Sequence, residues 1–210
     1  MSKTIGIFGG AFDPVHVGHS SLISDIQKKL DFQKIFIIPS GKPVLKDTHF
    51  VDGKQRIEML NIAFKKNTGV FIDNREVLKK EISYTIETLK EFHQEYKTNQ
   101  HFSFILGQDA FVNFKSWKNW KELLNLCSLV VMKRPNYHFS PEHIRDFKEN
   151  ITASMSEFLN SHGKIFFAEN TMLDISSSVI RENIYRPEFN EMTLDAEVLD
   201  YIKFNLLYKG

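Results

Sequence analysis

The chain has 210 residues, enough to bury one sizeable core, with 42% hydrophobic and 25% charged residues, the make-up of an ordinary water-soluble globule. Its formal net charge of +1 gives no overall pull toward nucleic acid or an anionic membrane surface. A single cysteine, Cys127, excludes an intrachain disulfide, and no apolar run approaches the ~20 residues needed to span a bilayer. With no charged-then-apolar leader ahead of the first strand, the expected location is the cytoplasm.

The first element is a β-branched and aromatic run, Thr4 to Phe8, expected as a buried strand. It leads through Gly9-Gly10-Ala11-Phe12-Asp13-Pro14-Val15-His16-Val17-Gly18-His19 into an apolar-periodic helix from Ser20 to Leu30. Lys34 to Ile38 is a second strand, closed by Pro39-Ser40-Gly41. Asp52 to Lys66 reads as a helix with Ile57, Leu60 and Phe64 inward, and Val70 to Ile72 as a short strand. A helix from Ser83 to Tyr96 follows, with Ser83 placed to cap it and Ile86, Leu89 and Phe92 or His93 facing inward. His101 to Leu106 is a strand that closes on Gly107-Gln108-Asp109. After it come a helix over Trp120 to Leu126 and a buried strand over Cys127 to Met132, where the cysteine packs rather than reacts. Lys133 to Ser161 is the least regular stretch, with Pro135, Pro141 and a polar amphipathic helix. A last strand, Lys164 to Ala168, precedes closing helices at Ser176 to Tyr185 and Leu194 to Leu207.

Strands alternating with helices through short connections predict an α/β fold. The expected form is a Rossmann-like, doubly wound parallel sheet with helices on both faces, in one domain spanning 1–210. Ligands of such sheets bind beyond the carboxyl ends of the strands, where the strand order reverses. The turns at Gly9–His19, Pro39–Asp47, Gly107–Trp117, Arg134 and Leu173–Arg181 are therefore the places to look.

The first turn is built for an anion. A strand that exits through Gly9 and Gly10 and enters a helix offers backbone N–H groups and the positive end of the helix dipole. His16 and His19, three apart, share one face there, two imidazoles beside a phosphate cradle. The second strong pattern is Asp174-Ile175-Ser176-Ser177-Ser178-Val179-Ile180-Arg181. Serines at a helix start cap it or bind an anion, and Arg181 a turn later carries a cationic fork to the same place. Asp109 suits either a ribose contact or a helix cap. Of the two indoles, Trp117 is the one expected to stack on a heteroaromatic ring. Lys42 and Lys46 follow the second strand, and Arg134 with Lys133 lies just past another strand end. The other histidines show no metal-ligand spacing with cysteine or acid partners, so no protein metal site is expected. No G-x-x-x-x-G-K-[ST] loop and no G-x-S-x-G elbow occurs, which removes P-loop kinases and α/β-hydrolases.

G-G-x-F-D-P-x-H-x-G-H resembles the signature of the nucleotidylyltransferase superfamily with the H-x-G-H motif. From Ile5 to about Tyr208 the chain also resembles its nicotinate-mononucleotide adenylyltransferase family. The matching segments, in order, are the Gly9–His19 signature, Ile38-Pro39, Gln55-Arg56, Ser83-Tyr84-Thr85 with Thr88-Leu89, Gly107-Gln108-Asp109 with Trp117, Lys133-Arg134-Pro135 and Ile175-Ser176-Ser177-Ser178-x-Ile180-Arg181. The resemblance implies that ATP and nicotinate mononucleotide combine to give nicotinate adenine dinucleotide and pyrophosphate. It implies catalytic roles for His16, His19, Arg181 and Lys46. It puts ATP on Gly9, Gly10, Ala11, Phe12, His16, His19, Ile175, Ser177, Ser178 and Arg181. It puts nicotinate mononucleotide on Ser83, Tyr84, Thr85, Gly107, Asp109, Trp117, Lys118 and Arg134. Mg²⁺ would arrive with ATP, and neither nucleic acid nor membrane is an expected partner, while a homo-oligomer stays open. Two positions depart from the family pattern: Leu45 stands in place of its histidine after the second strand, and Ala11 in place of a small hydroxyl residue. Competing readings are a sister transferase acting on nicotinamide mononucleotide or phosphopantetheine, and a non-catalytic nucleotide sensor.

Overall fold

A computed structural model describes residues 3–42, 50–96, 100–133, 137, 139–171 and 173–209. Six strands form one sheet: β1 (Lys3–Gly10), β2 (Lys34–Pro39), β3 (Val70–Ile72), β4 (Gln100–Gly107), β5 (Ser128–Met132) and β6 (Ile165–Ala168). All five neighbouring pairs are parallel, in the order β3-β2-β1-β4-β5-β6. The order reverses between β1 and β4, so the crevice for a ligand opens where Gly10 and Gly107 end those strands.

Both faces of the sheet are covered, and the alternation along each strand sorts the side chains between two cores. Phe8, Ile35, Ile37, Ile105 and Val130 pack against one helical layer. That layer comprises α1 (Val17–Leu30), α2 (Gly53–Phe64), α8 (Ser177–Asn183) and α9 (Ala196–Phe204), through Ile23, Ile26, Met59, Leu60, Ile180, Val198 and Ile202. Ile5, Ile7, Phe36, Phe102, Phe104, Leu129 and Val131 face the opposite layer. It comprises α4 (Thr85–Glu95), α5 (Gln108–Val112) and α6 (Trp120–Leu126). Strands buried on both sides explain why these runs are continuously apolar instead of alternating.

Four sequence expectations change. The helix after the second strand turns Arg56, Met59, Leu60 and Phe64 inward, and Ile57 is only partly buried, because a buried arginine replaces an apolar residue on the stripe. Helix α4 starts at Thr85 with Tyr84 as its cap residue, so Ser83 does not cap it. Two short helices were not expected: α3 (Arg75–Leu78) and α5, which begins directly at Gln108 with Gly107 as its cap residue. Asp109 is therefore inside a helical turn and not its cap. In the irregular stretch the polar amphipathic helix is a 3₁₀ turn over Pro141–Phe147, followed by the short α7 (Met155–Asn160). Cys127 is buried and its thiol is pushed up to about 12 by desolvation, in keeping with a packing role.

At the amino end of β4, far along the strand from the crevice, His101 is buried and stacks on His162 with ring centroids 5.4 Å apart. Burial, with the neighbouring His162 adding to it, lowers the His101 pKa to about 4. The unfolded chain, with an ordinary histidine pKa of about 6.5, therefore takes up a proton first on acidification. Stability from this residue is complete above about pH 6.5 and is lost as pH falls toward 4. Melting temperatures measured across that window should fall less steeply for His101→Phe than for the wild type. Equal slopes would remove His101 as the cause.

Candidate active site

The turn between β1 and α1 is held from beneath by one cation. Arg56, on α2 and only 2% exposed, donates from Nη1 to the Ala11 carbonyl and from Nη2 to the Ser40 carbonyl, each at 2.8 Å. Those carbonyls lie just past the ends of β1 and β2, so one guanidinium joins the two chain exits. Desolvation lowers the Arg56 pKa, opposed by the nearby Asp13 carboxylate.

Asp13, itself buried, is the second organiser. Its carboxylate accepts from the Phe50 amide and from the Tyr208 hydroxyl, both at 2.7 Å. Its backbone carbonyl accepts from Arg181 Nη1 at 2.5 Å. Burial and the bond to Asp13 hold the Tyr208 hydroxyl protonated far above the usual phenol range. Tyr208 lies at the far end of the sequence, so the C-terminal segment is stitched to the first turn.

His16 is the cap residue of α1 and is 6% exposed, and His19 sits in the first helical turn. Their rings lie 3.8 Å apart between centroids. The His16 amide donates to His19 Nδ1 at 3.2 Å. In a neutral imidazole this leaves the proton on Nε2, a donor at the outer edge of the ring. Phe12, buried in the left-handed region with φ 48°, packs its edge against His19 at 5.1 Å. Gly18 explains the spacing between the histidines. A Cβ there would meet the His16 ring at 3.0 Å, tighter than the pair allows.

The serine-rich segment docks on the same turn. Ser177 Oγ donates to the Pro14 carbonyl at 2.9 Å, and Ile175 flanks Gly18. Ser176 and Ser178 share a hydrogen bond at 2.7 Å, and Ser176 is the cap residue of α8 without a side-chain capping bond. The expected serine cap is replaced by a tether across the molecule. The Arg181 guanidinium lies 4.1 Å from the centre of the Phe50 ring.

A second group gathers on the opposite layer. Lys118 Nζ pairs with Glu87 at 2.7 Å and lies 4.1 Å from the centre of the Tyr84 ring. The mutual bond raises the lysine pKa and lowers that of the glutamate. Trp117 sets its edge against Phe104 at 5.7 Å and also touches Phe114. Phe104 connects the two groups, because a Cβ on Gly9 would stand only 3.1 Å from it. The segment carrying Ser83, Tyr84 and Thr85 is braced from behind. Thr88 donates to Glu76 at 2.7 Å, and Arg75 binds Asp73 and Glu95 while lying over Phe92. Burial raises the Glu76 pKa. Gly41 lets β2's exit press against this brace, since a Cβ would meet the Glu76 carbonyl at 2.2 Å. Among the described residues Ser83 Oγ is buried without a hydrogen-bond partner.

The structure thus brings Gly9, Gly10, Ala11, Phe12, His16 and His19 together with Ile175, Ser177, Ser178 and Arg181. It also brings Tyr84 together with Lys118, and Trp117 against the strand that carries Gly107. Asp109 is exposed in the turn beyond Gly107. Lys46, Leu45 and Arg134 lie outside the described residues. Asp13, Phe50 and Tyr208 were not anticipated. The signal for Asp13 was present in the signature itself, whereas Phe50 and Tyr208 belong to no local pattern. Among the described residues no group of three or more His, Cys, Asp or Glu could hold a metal ion, and no helix is long and apolar enough to cross a membrane.

A doubly wound sheet with a histidine-bearing glycine turn at its reversal point is the frame of a nucleotide-binding protein. The chain belongs to the cytidylyltransferase-like family, whose model matches residues 7–183. It is 32% identical over 208 residues to a protein of Yersinia pestis named probable nicotinate-nucleotide adenylyltransferase, covering 97% of this chain and 94% of that one. A protein of the same name from Vesicomyosocius okutanii is 35% identical over 207 residues, covering 96% and 95%. Among solved structures, the fold matches Plasmodium falciparum nicotinic acid mononucleotide adenylyltransferase complexed with NaAD. That match has a TM-score of 0.78 and 21% identity, covering 98% of this chain and 97% of that one.

Replacing Arg56 by Met keeps its bulk but leaves two inward carbonyls without donors. The loss should be about 2–4 kcal/mol of stability in urea unfolding, with the first turn loosened. A loss under about 0.5 kcal/mol would show that the clamp does not hold the turn.

Proposed function

We propose that the protein is a nicotinate-nucleotide adenylyltransferase of NAD biosynthesis. It joins ATP and nicotinate mononucleotide into nicotinate adenine dinucleotide and releases pyrophosphate. The observation that carries this reading is the close His16–His19 ring pair at the α1 N-terminus, on a turn whose Asp13 and Pro14 carbonyls hold Arg181 and Ser177 at the sheet's reversal point. The names of the relatives that match nearly the whole chain support the choice of substrates. The core that takes in α8 and α9 supports one domain over 1–210.

An oxygen of the mononucleotide's 5′-phosphate attacks the α-phosphorus of ATP, and the bond from that phosphorus to the bridging oxygen of pyrophosphate breaks. The nucleophile is already an anion, so no general base is needed. The work lies in holding two repelling anions in line and stabilising the charge that gathers on the leaving pyrophosphate. The α1 N-terminal amides, Gly9, Gly10, Ala11 and Phe12 cradle the phosphates. His16 and His19 face the α-phosphoryl group, with His19 Nε2–H as a hydrogen-bond donor. Ser177, Ser178 and Arg181, with Lys46, hold the departing end, and Ile175 borders the nucleoside. Asp109 and Gly107 receive the ribose of the mononucleotide. Ser83, Tyr84, Thr85, Trp117, Lys118 and Arg134 form its seat, with Trp117 stacking on the pyridine ring. Mg²⁺ accompanies ATP, held by phosphates and water, and the reaction takes place in the cytoplasm.

Purified protein with Mg-ATP should release pyrophosphate quickly with nicotinate mononucleotide and slowly or not at all with nicotinamide mononucleotide or phosphopantetheine. Nucleotide binding without release from any acceptor would favour a sensor. His19→Ala should lower kcat by about 10²–10³ with an unchanged melting temperature, by analogy with removing one oxyanion donor. A loss below tenfold would remove the proposed role of that ring.

A further inference from the structure

We infer that Phe50 is a positioning residue for Arg181, a platform that aims its guanidinium at the triphosphate without neutralising it. The inference rests on the adenylyl-transfer reading of this site and names a residue that reading does not include. Phe50 is 72% exposed, an unfavourable place for a phenyl ring unless one face is used. That face lies against Arg181, whose guanidinium carbon is 4.1 Å from the ring centroid.

One residue sets both partners of this stack. The Asp13 carboxylate takes the Phe50 amide at 2.7 Å, and the Asp13 carbonyl takes Arg181 Nη1 at 2.5 Å. The second carboxylate oxygen is occupied by Tyr208, so Asp13 is held from both sides. Asp13 thus holds both the backbone that carries the ring and one terminal nitrogen of the guanidinium that lies over it.

The chemistry of the platform matters. A carboxylate beside Arg181 would cancel the charge that a polyphosphate needs, and an aliphatic side chain would not attract a cation. An aromatic face attracts the guanidinium without accepting its hydrogen bonds, so the in-plane N–H donors that the Asp13 carbonyl does not take stay available for phosphate oxygens. Phe50 thus lowers the freedom of a long side chain before ATP arrives, which shows as affinity.

The test uses Phe50→Leu, Phe50→Trp, Arg181→Ala and the double variant Phe50→Leu with Arg181→Ala. Calorimetry gives the Kd for Mg-ATP, and steady-state assays give KM for each substrate. Phe50→Leu should weaken Mg-ATP binding about three- to thirtyfold, the range of an exposed to partly desolvated cation–π contact. KM for nicotinate mononucleotide and the melting temperature should stay at wild-type values, and Phe50→Trp should keep wild-type affinity for ATP. In the Arg181→Ala background, Phe50→Leu should cause no further loss, because the platform then has nothing to hold. Unchanged affinity in Phe50→Leu, or an equal loss with and without Arg181, overturns the inference. Wild-type protein that binds Mg-ATP but transfers nothing would sink the adenylyltransferase reading, while the calorimetric comparison would still decide for or against Phe50. Wild-type protein that fails to bind Mg-ATP sinks both.

Discussion

A buried guanidinium must find hydrogen-bond acceptors inside the protein, and the two terminal nitrogens of Arg56 find them in the carbonyls of Ala11 and Ser40, while its Nε has no partner among the described residues. Those carbonyls belong to the chain as it leaves two adjacent parallel strands, just past their last pair, Gly10 with Pro39. The arginine closes both exits at once, and Asp13 supplies nearby negative charge. The histidine-bearing half of the site is built on that clamp. The turn sets where α1 begins, α1 sets where the two histidines stand, and the Asp13 and Pro14 carbonyls dock α8 from the far end of the chain.

The histidine pair shows how a fixed turn becomes a chemical group. Placing His16 at the cap and His19 in the first turn allows the backbone amide of one to occupy Nδ1 of the other. In the neutral ring a main-chain contact thereby sets the tautomer, and Nε2 at the outer edge of His19 is the donor. The close approach of His16 to the helix demands the missing side chain at Gly18. A transfer between two phosphates benefits from such pre-aimed donors more than from a proton acceptor, since the nucleophile is already charged.

The opposite half of the crevice is held by different forces. Aromatic edges join Gly9, Phe104 and Trp117 across the sheet's reversal point. Carboxylates and cations around Arg75, Glu76, Glu91 and Thr88 brace the start of α4. A clamped glycine–histidine turn on one side and a braced aromatic group on the other thus line the crevice from two layers of the fold.

Local patterns in the sequence determined most of the architecture and the address of the site. Apolar runs bounded by glycine and proline specify strands, 3.6-residue spacing specifies helices, and their alternation specifies a parallel sheet whose ligands sit at strand ends. The glycine–histidine turn and the serine–arginine segment were legible because each is a contiguous set of groups suited to one anion. Arg56 was legible only as part of a resemblance, since hydrophobic periodicity counts apolar residues and reads a buried arginine as a flaw in the stripe. Whether Ser177 caps its own helix or tethers the first turn, and whether Asp109 caps a helix or lies within one, depended on geometry between distant segments. So did the meeting of Asp13 with Tyr208 and of Phe50 with Arg181, because hydrogen bonds and ring stacks between residues more than a hundred positions apart leave no periodic trace in a sequence. The sequence by itself determined the elements and placed the glycine–histidine and serine–arginine segments at strand ends. Only the tertiary structure decided which side chains hold those groups in place.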